Sequence, residues 1–226
     1  MKKILLITTV LLGCLAAKAQ DIPEKPEVKG EPSNEMSALR LASDLVKYGY
    51  AQQSALPLID ALNIIIENPT QPLNADKEAE DVAIETSDKN GNITLDFAEI
   101  IASAKQFADG DETLMALLTQ VENDAEAPSR GAVNGPKYTV DVLGPNRYTT
   151  YNVSFVAGYI AEVGLSGDGD TDLDLYVYDS NGNLIVADES YSDDCYVNWV
   201  PAWTGRYTIK VVNRGGVANK FVLLTN

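Results

Sequence analysis

The chain has no histidine among its 226 residues. That absence removes Ser-His-Asp and Cys-His chemistry and every histidine-ligated zinc site. A G-x-S-x-G elbow, a P-loop and a dinucleotide fingerprint are missing too. Paired carboxylates are the catalytic class left, but any chain with 33 acidic residues offers such pairs. The expectation is therefore a protein that is not an enzyme.

Long apolar runs are as scarce. The one present, residues 4–17, follows Lys2 and Lys3 and leads to Ala17-Lys18-Ala19, small residues spaced for a signal peptidase. Residues 1–19 read as an export signal, and beyond them no apolar run is long enough for a spanning helix. The alternative is a lipoprotein anchored through Cys14, in the run Leu11-Leu12-Gly13-Cys14. Only two cysteines occur, so cleavage after Ala19 leaves Cys195 alone and excludes an internal disulfide. Cys195 shares strand parity with Val197 and Trp199, which predicts a buried, inert thiol. Positive charge is sparse. The net charge is −16, and removing Lys2, Lys3 and Lys18, with no acid before Asp21, takes it to −19. Such a surface repels nucleic acid and anionic membranes.

Residues 20–34 hold prolines and alternating charge with little to bury, and read as an extended leader. A helical period then starts. Met36, Leu39, Leu41, Leu45, Val46 and Tyr48 predict a helix stopping at Gly49, and Ser54 is placed to cap a second one bearing Leu58, Ile59, Leu62, Ile65 and Ile66. Residues 77–84 are acidic and weakly helical. Thr94 is placed to cap a helix with Phe97, Ile100, Ile101, Ala104 and Phe107, and a last helix carries Leu114, Leu117, Leu118 and Val121. Residues 35–126 thus read as a small bundle of helical hairpins.

Residues 127–136 have two glycines, two prolines and no periodicity, as a linker would. Nearly everything after them alternates with a period of two: Tyr151, Val153, Phe155; Tyr159, Ala161, Val163, Leu165; Tyr207, Ile209, Val211; Phe221, Leu223. In residues 166–183, Leu173, Leu175 and Val177 alternate with Asp172, Asp174, Tyr176 and Tyr178, and Asn181-Gly182 supplies a hairpin turn. About eight short strands result. The predicted fold is α + β: a helical bundle followed by an antiparallel β-sandwich of jelly-roll type over residues 137–226.

The run DTDLDLYVYDSNGNLIVADES, a Trp-Val-Pro segment and the strand from Gly205 through Tyr207, Ile209 and Val211 resemble the bacterial pre-peptidase C-terminal domain over residues 137–226. The resemblance implies a secreted accessory module, commonly attached to peptidases and in some relatives linked to calcium or to substrate binding. It implies no catalytic site, and the helical residues 35–126 resemble no family.

Calcium takes carboxylate oxygens, so Asp168, Asp170, Asp172 and Asp174, with Asp188, Asp193 and Asp194 on the loop after the hairpin, form one candidate site; the alternative is a solvated acidic edge. A second candidate is Asp88, Asn90, Asn92, Thr94, Asp96 and Glu99, at the ligand places of an EF-hand loop, though Ile93 stands where that loop needs glycine. Tyr176, Tyr178, Tyr191, Tyr196 and Trp203 offer an aromatic patch for a sugar or peptide, while Trp199 looks inward. The expectation is an exported, non-enzymatic binding or accessory protein for calcium, a protein or a glycan. The alternative is an accessory part of a secreted peptidase or polysaccharide-degrading enzyme.

Overall fold

The computed structural model describes residues 30–79, 92–126 and 135–226. The export signal, Cys14 and the leader up to residue 29 lie outside them, as do Asp88, Asn90 and most of the linker. Helices α1 (Asn34–Gln52) and α2 (Ala55–Glu67) come first, then two short strands, β1 (Gln71–Pro72) and β2 (Asp76–Ala79), then α3 (Phe97–Ala108) and α4 (Glu112–Glu126). Eight strands follow: β3 (Lys137–Leu143), β4 (Tyr148–Phe155), β5 (Ala161–Gly167), β6 (Leu173–Tyr178), β7 (Leu184–Asp188), β8 (Asp194–Trp199), β9 (Gly205–Asn213) and β10 (Asn219–Thr225).

The sheets are ordered β1-β3-β10-β5-β8 and β2-β4-β9-β6-β7. Counted within β3–β10 alone, strands one, eight, three and six face strands two, seven, four and five, which is the jelly-roll order. Pairing is antiparallel except where β1 joins β3. The inward rows Tyr151, Val153 and Phe155, Leu173, Leu175 and Val177, and Tyr207, Ile209 and Val211 meet between the sheets, with Phe155 and Trp199 edge to face at 4.8 Å. The α + β class and the sandwich are as the periodicity predicts.

A second core lies outside the first. The helices bury Met36, Leu39, Val46, Leu58, Leu62, Ile100 and Leu118 together with Tyr196, Val222 and Leu224 from the outer face of the β3-β10-β5-β8 sheet. The helical segment and the sandwich are therefore layers of one packed body. Gly164 on β5 admits α1: a Cβ there would stand 3.0 Å from Met36 Sδ and 3.4 Å from Arg40 Cδ.

Several local expectations are corrected. Helix α1 runs past Gly49 to Gln52, where Gln53 turns left-handed. Gly49 is instead a packing point, since a Cβ there would come 2.6 Å from Leu58 Cδ2. Ser54 precedes α2 without a side-chain capping bond. Asp96, not Thr94, caps α3, accepting from Glu99 N at 2.9 Å, while Thr94 Oγ1 accepts from Asp96 N. The described part of residues 77–84 is strand, because β2 pairs with the rim of β4 and its charges suit an exposed edge. Strand β5 starts at Ala161, so Tyr159 lies in the loop beyond Gly158, whose φ is +78°. In the β6–β7 turn only Gly182 has positive φ, and Asp179 holds the turn by accepting from the N–H groups of Asn181 and Asn183 at 2.8 Å each.

Candidate functional site

Strands β5 and β8 run antiparallel, so their loops gather at two opposite ends of the sandwich. At one end are the acidic loops 168–172 and 189–193. They do fold together: Leu173 N donates to Ser192 O at 3.1 Å and Gly167 N to Asp193 O at 2.9 Å. What meets, however, is carboxylate against backbone N–H. Asp168 accepts from Lys220 N at 2.8 Å and Asp170 N at 3.2 Å. Asp172 accepts from Ser192 N at 3.1 Å, and Asp188 from Ser190 N at 3.0 Å and Tyr196 N at 2.9 Å. Asp193 accepts from Gly169 N, and Asp194 pairs with the Lys47 ammonium at 3.3 Å. Burial pushes the Asp168 carboxyl above the usual range, against the pull of its two N–H donors.

Asp174 is turned to the outer face of β6 and is bound by Arg214. On that outer face Asp174 and Tyr176 are both buried, with Arg214 lying against them. Among the described residues no three His, Cys, Asp or Glu side chains gather closely enough to hold a metal ion. In the structure these acids staple the loops: Asp168, Asp172, Asp188 and Asp193 accept from backbone N–H groups, and Asp194 pairs with Lys47. In the second candidate, Ile93 is fully buried, which accounts for the branched residue where an EF-hand needs glycine. The Lys220 ammonium stands 2.6 Å from Asn92 Oδ1 and 3.9 Å from Glu99 Oε1, placing a protein cation among the described members of that set.

The aromatic candidates are dispersed. Tyr176 and Tyr178 stack at 6.3 Å on the outer face of β6. Tyr191, 96% exposed, projects from the acidic end. Tyr196 is buried, its hydroxyl donating to Glu162 at 2.7 Å, and burial raises its pKa. Trp203 sits at the opposite end, stacked on Tyr207 at 5.9 Å.

That opposite end carries a surface the sequence reasoning missed. Loops 156–160 and 200–204 expose Val156, Tyr159, Ile160, Val200 and Trp203. They are clamped together, Gly158 N donating to Pro201 O and Ala157 N to Thr204 Oγ1, each at 3.0 Å. The Asn226 amide reaches Ile160 O at 2.8 Å and fixes the far side. The ten residues of the two loops, VAGYI and VPAWT, contain no charge in a chain that is 22% charged. That local absence was the available signal. Clusters of this kind mark contact surfaces: aromatic and apolar at the centre, depleted in charge.

No protein-family model matches this chain, and no curated protein does. Solved structures similar to parts of it include two periplasmic inhibitors of g-type lysozyme named PliG. The Aeromonas hydrophila protein is 12% identical over 40% of this chain and 84% of its own, with a TM-score of 0.33. The Salmonella Typhimurium protein is 19% identical over 42% of this chain and 90% of its own, with a TM-score of 0.30. The Staphylococcus aureus capsular polysaccharide assembling protein CapF is 11% identical over 74% of this chain and 58% of its own, with a TM-score of 0.28.

Proposed function

We propose that this chain is an exported, non-enzymatic binding protein that docks a partner protein through the uncharged tip formed by loops 156–160 and 200–204. The observation that carries the reading is the clamped, charge-free cluster of Val156, Tyr159, Ile160, Val200 and Trp203, exposed beside a rigid sandwich. Tyr and Trp anchors on a preorganised surface are the usual centre of a protein interface. The net charge of −19, which is −16 less the charges of Lys2, Lys3 and Lys18, selects a partner with a basic rim around an apolar centre and works against an anionic membrane. Export rests on residues 1–19, and no helix among the described residues is long and apolar enough to cross a membrane. The accessory character rests on the resemblance of residues 137–226 to the pre-peptidase C-terminal domain. Under that reading the partner is a secreted peptidase or polysaccharide-degrading enzyme.

Site-specific photocrosslinking tests the docking surface. A photoreactive residue at position 160 should capture one dominant protein from the native envelope or medium, and Tyr159→Ala with Trp203→Ala should abolish the capture. The same probe at position 191, at the opposite end, should capture none. Equal capture at both positions, or capture unaffected by the double substitution, overturns the assignment. Turnover of a peptide or polysaccharide by the purified chain alone overturns the non-enzymatic reading.

A further inference from the structure

Where the helical layer meets the sandwich, three side chains from distant parts of the chain come together: Lys220 of β10, Asn92 of the loop before α3, and Glu99 of the first turn of α3. Lys220 Nζ stands 2.6 Å from Asn92 Oδ1, Asn92 Nδ2 donates to Glu99 Oε1 at 3.3 Å, and Lys220 Nζ lies 3.9 Å from that same carboxylate oxygen. An amine, a carboxamide and a carboxylate thus form a closed triangle.

Each corner is held by its own element. The backbone N–H of Lys220 donates to Asp168 Oδ2 at 2.8 Å, and Val222 and Leu224, on the same face of β10, are buried beneath the helices. Asn92 leads into Ile93, Thr94 and Leu95, all three buried. Glu99 is tied through its N–H to the Asp96 cap at 2.9 Å. Tyr138, half-buried, feels the same carboxylate: burial first, then the charges of Asp96 and Glu99, raise its pKa. Water therefore screens Glu99 only in part.

An ion pair alone would need only Lys220 and Glu99, and one so exposed adds little stability. The carboxamide between them is oriented for acyl transfer, with its carbonyl toward the amine and its leaving nitrogen toward the carboxylate. We propose that Lys220 and Asn92 join in an intramolecular isopeptide bond, with Glu99 as the general base and then the general acid. Glu99 takes one proton from the ammonium, and the freed electron pair of Nζ attacks Asn92 Cγ. Glu99 returns the proton to Nδ2, the Cγ–Nδ2 bond breaks, and the surplus proton on Nζ leaves with the ammonia. One ammonium and one carboxamide become one secondary amide and one ammonium ion, and nothing is oxidised or reduced.

An ordinary lysine is free amine in only about one molecule per thousand near neutral pH. A bond that forms once per chain tolerates that scarcity, because the held geometry replaces a bimolecular encounter. A single reaction of the chain with itself is not turnover, so the non-enzymatic reading stands. The bond would weld the loop before α3 to β10, and with it the helical layer to the sandwich. The triangle lies apart from the tip, so a failure of either assignment leaves the other standing.

Mass spectrometry of the purified exported chain tests it. The denatured chain should weigh one ammonia less than its sequence. Trypsin should release a branched peptide joining residues 90–105 to residues 215–226, because acylated Lys220 is no longer a cleavage site. Lys220→Arg should abolish the branched peptide, and Glu99→Gln, which keeps the size of the side chain, should lower its yield about tenfold or more. Cyclisation of an N-terminal glutamine or a succinimide at an Asn-Gly step also sheds ammonia but leaves the two peptides separate. Ammonia loss without the branched peptide therefore overturns the assignment, as does a chain at its full sequence mass. A branched peptide at parental yield in Glu99→Gln overturns the role of Glu99.

Discussion

Arg214 Nε donates to Asp174 Oδ2 at 2.6 Å, and its Nη2 reaches the Tyr176 hydroxyl at 2.8 Å. Asp174 is only 5% exposed, so this contact converts an acid on a central strand into a neutralised, hydrogen-bonded group. The Tyr176 hydroxyl lies 2.9 Å from Asp174 Oδ2 and 2.7 Å from Glu189 Oε1, and its single proton serves one of them at a time. Burial, then its carboxylate neighbours, raise its pKa.

Removing one partner of a buried pair costs more than removing both. Arg214 is about half exposed, which lowers the expected loss for Arg214→Ala from the fully buried range to about 2 kcal/mol. Urea unfolding should show that loss, and Arg214→Ala combined with Asp174→Asn should recover part of it. A double variant less stable than the sum of its singles would refute the account.

Gly49 offers a contest between two effects of opposite sign. Alanine in a helix interior is favoured over glycine by about 1 kcal/mol. Against that, the new Cβ would lie 2.6 Å from Leu58 Cδ2 and 2.8 Å from Cγ, and Leu58 is fully buried and cannot swing away. Overpacking of this kind costs about 1–3 kcal/mol, so the net effect of Gly49→Ala is destabilising. A melting temperature lower by a few degrees is expected. An increase would mean that α1 and α2 separate without loss.

How legible all this was depended on where the physical signal lay. The eight strands of the sandwich show in their alternation because each inward row faces one apolar core. Strands β1 and β2 do not, since two residues at Gln71-Pro72 and the charged run Asp76–Ala79 bury no apolar row. The helical layer over the sheet had a signal in the continuous run Phe221, Val222, Leu223, Leu224, where both faces of β10 are covered. Alternation alone picks out only Phe221 and Leu223. The acids of loops 168–172 and 188–194 were brought together as their spacing suggests. Their partners, the N–H groups of Lys220, Ser192 and Tyr196, carry no letter in a sequence.

Calcium is where those staples lead to a firm expectation. A cation at the acidic end would compete with the backbone donors for the oxygens of Asp168, Asp172 and Asp188 that now hold the loops closed. Adding calcium to roughly 5 mM, above the Kd of about 1 mM of the weakest extracellular sites, should leave the melting temperature unchanged. Chelator should do the same. A saturable heat of binding would show a cation site among these carboxylates.

Cys195 is fully buried on β8, and its thiol donates to Leu173 O at 3.0 Å. Burial first, and then the charges of Asp188, Asp174, Asp194 and Asp172, push its pKa up, so thiolate is scarce at neutral pH. A disulfide reagent should leave the folded chain unmodified for as long as it stays folded and should react at once in guanidinium. Stoichiometric labelling under native conditions would show that β8 opens locally.

The pH dependence has a sign that one substitution can expose. Asp44 has its pKa raised, first by burial and then by the neighbouring charge of Asp194, with a smaller push from Asp193; Lys47 and Arg40 pull the other way. The folded chain therefore holds this proton more tightly than the unfolded chain, whose aspartates titrate near about 3.9. Below that value the contribution is fully present, and it is lost as pH rises through the folded pKa. Asp44→Asn removes the group from the balance. The stability of the parent chain relative to the variant should fall as pH is raised from about 4 through the raised pKa. Unfolding midpoints in urea at a series of pH values measure the difference directly. Parallel curves for the two chains would show that Asp44 titrates alike folded and unfolded.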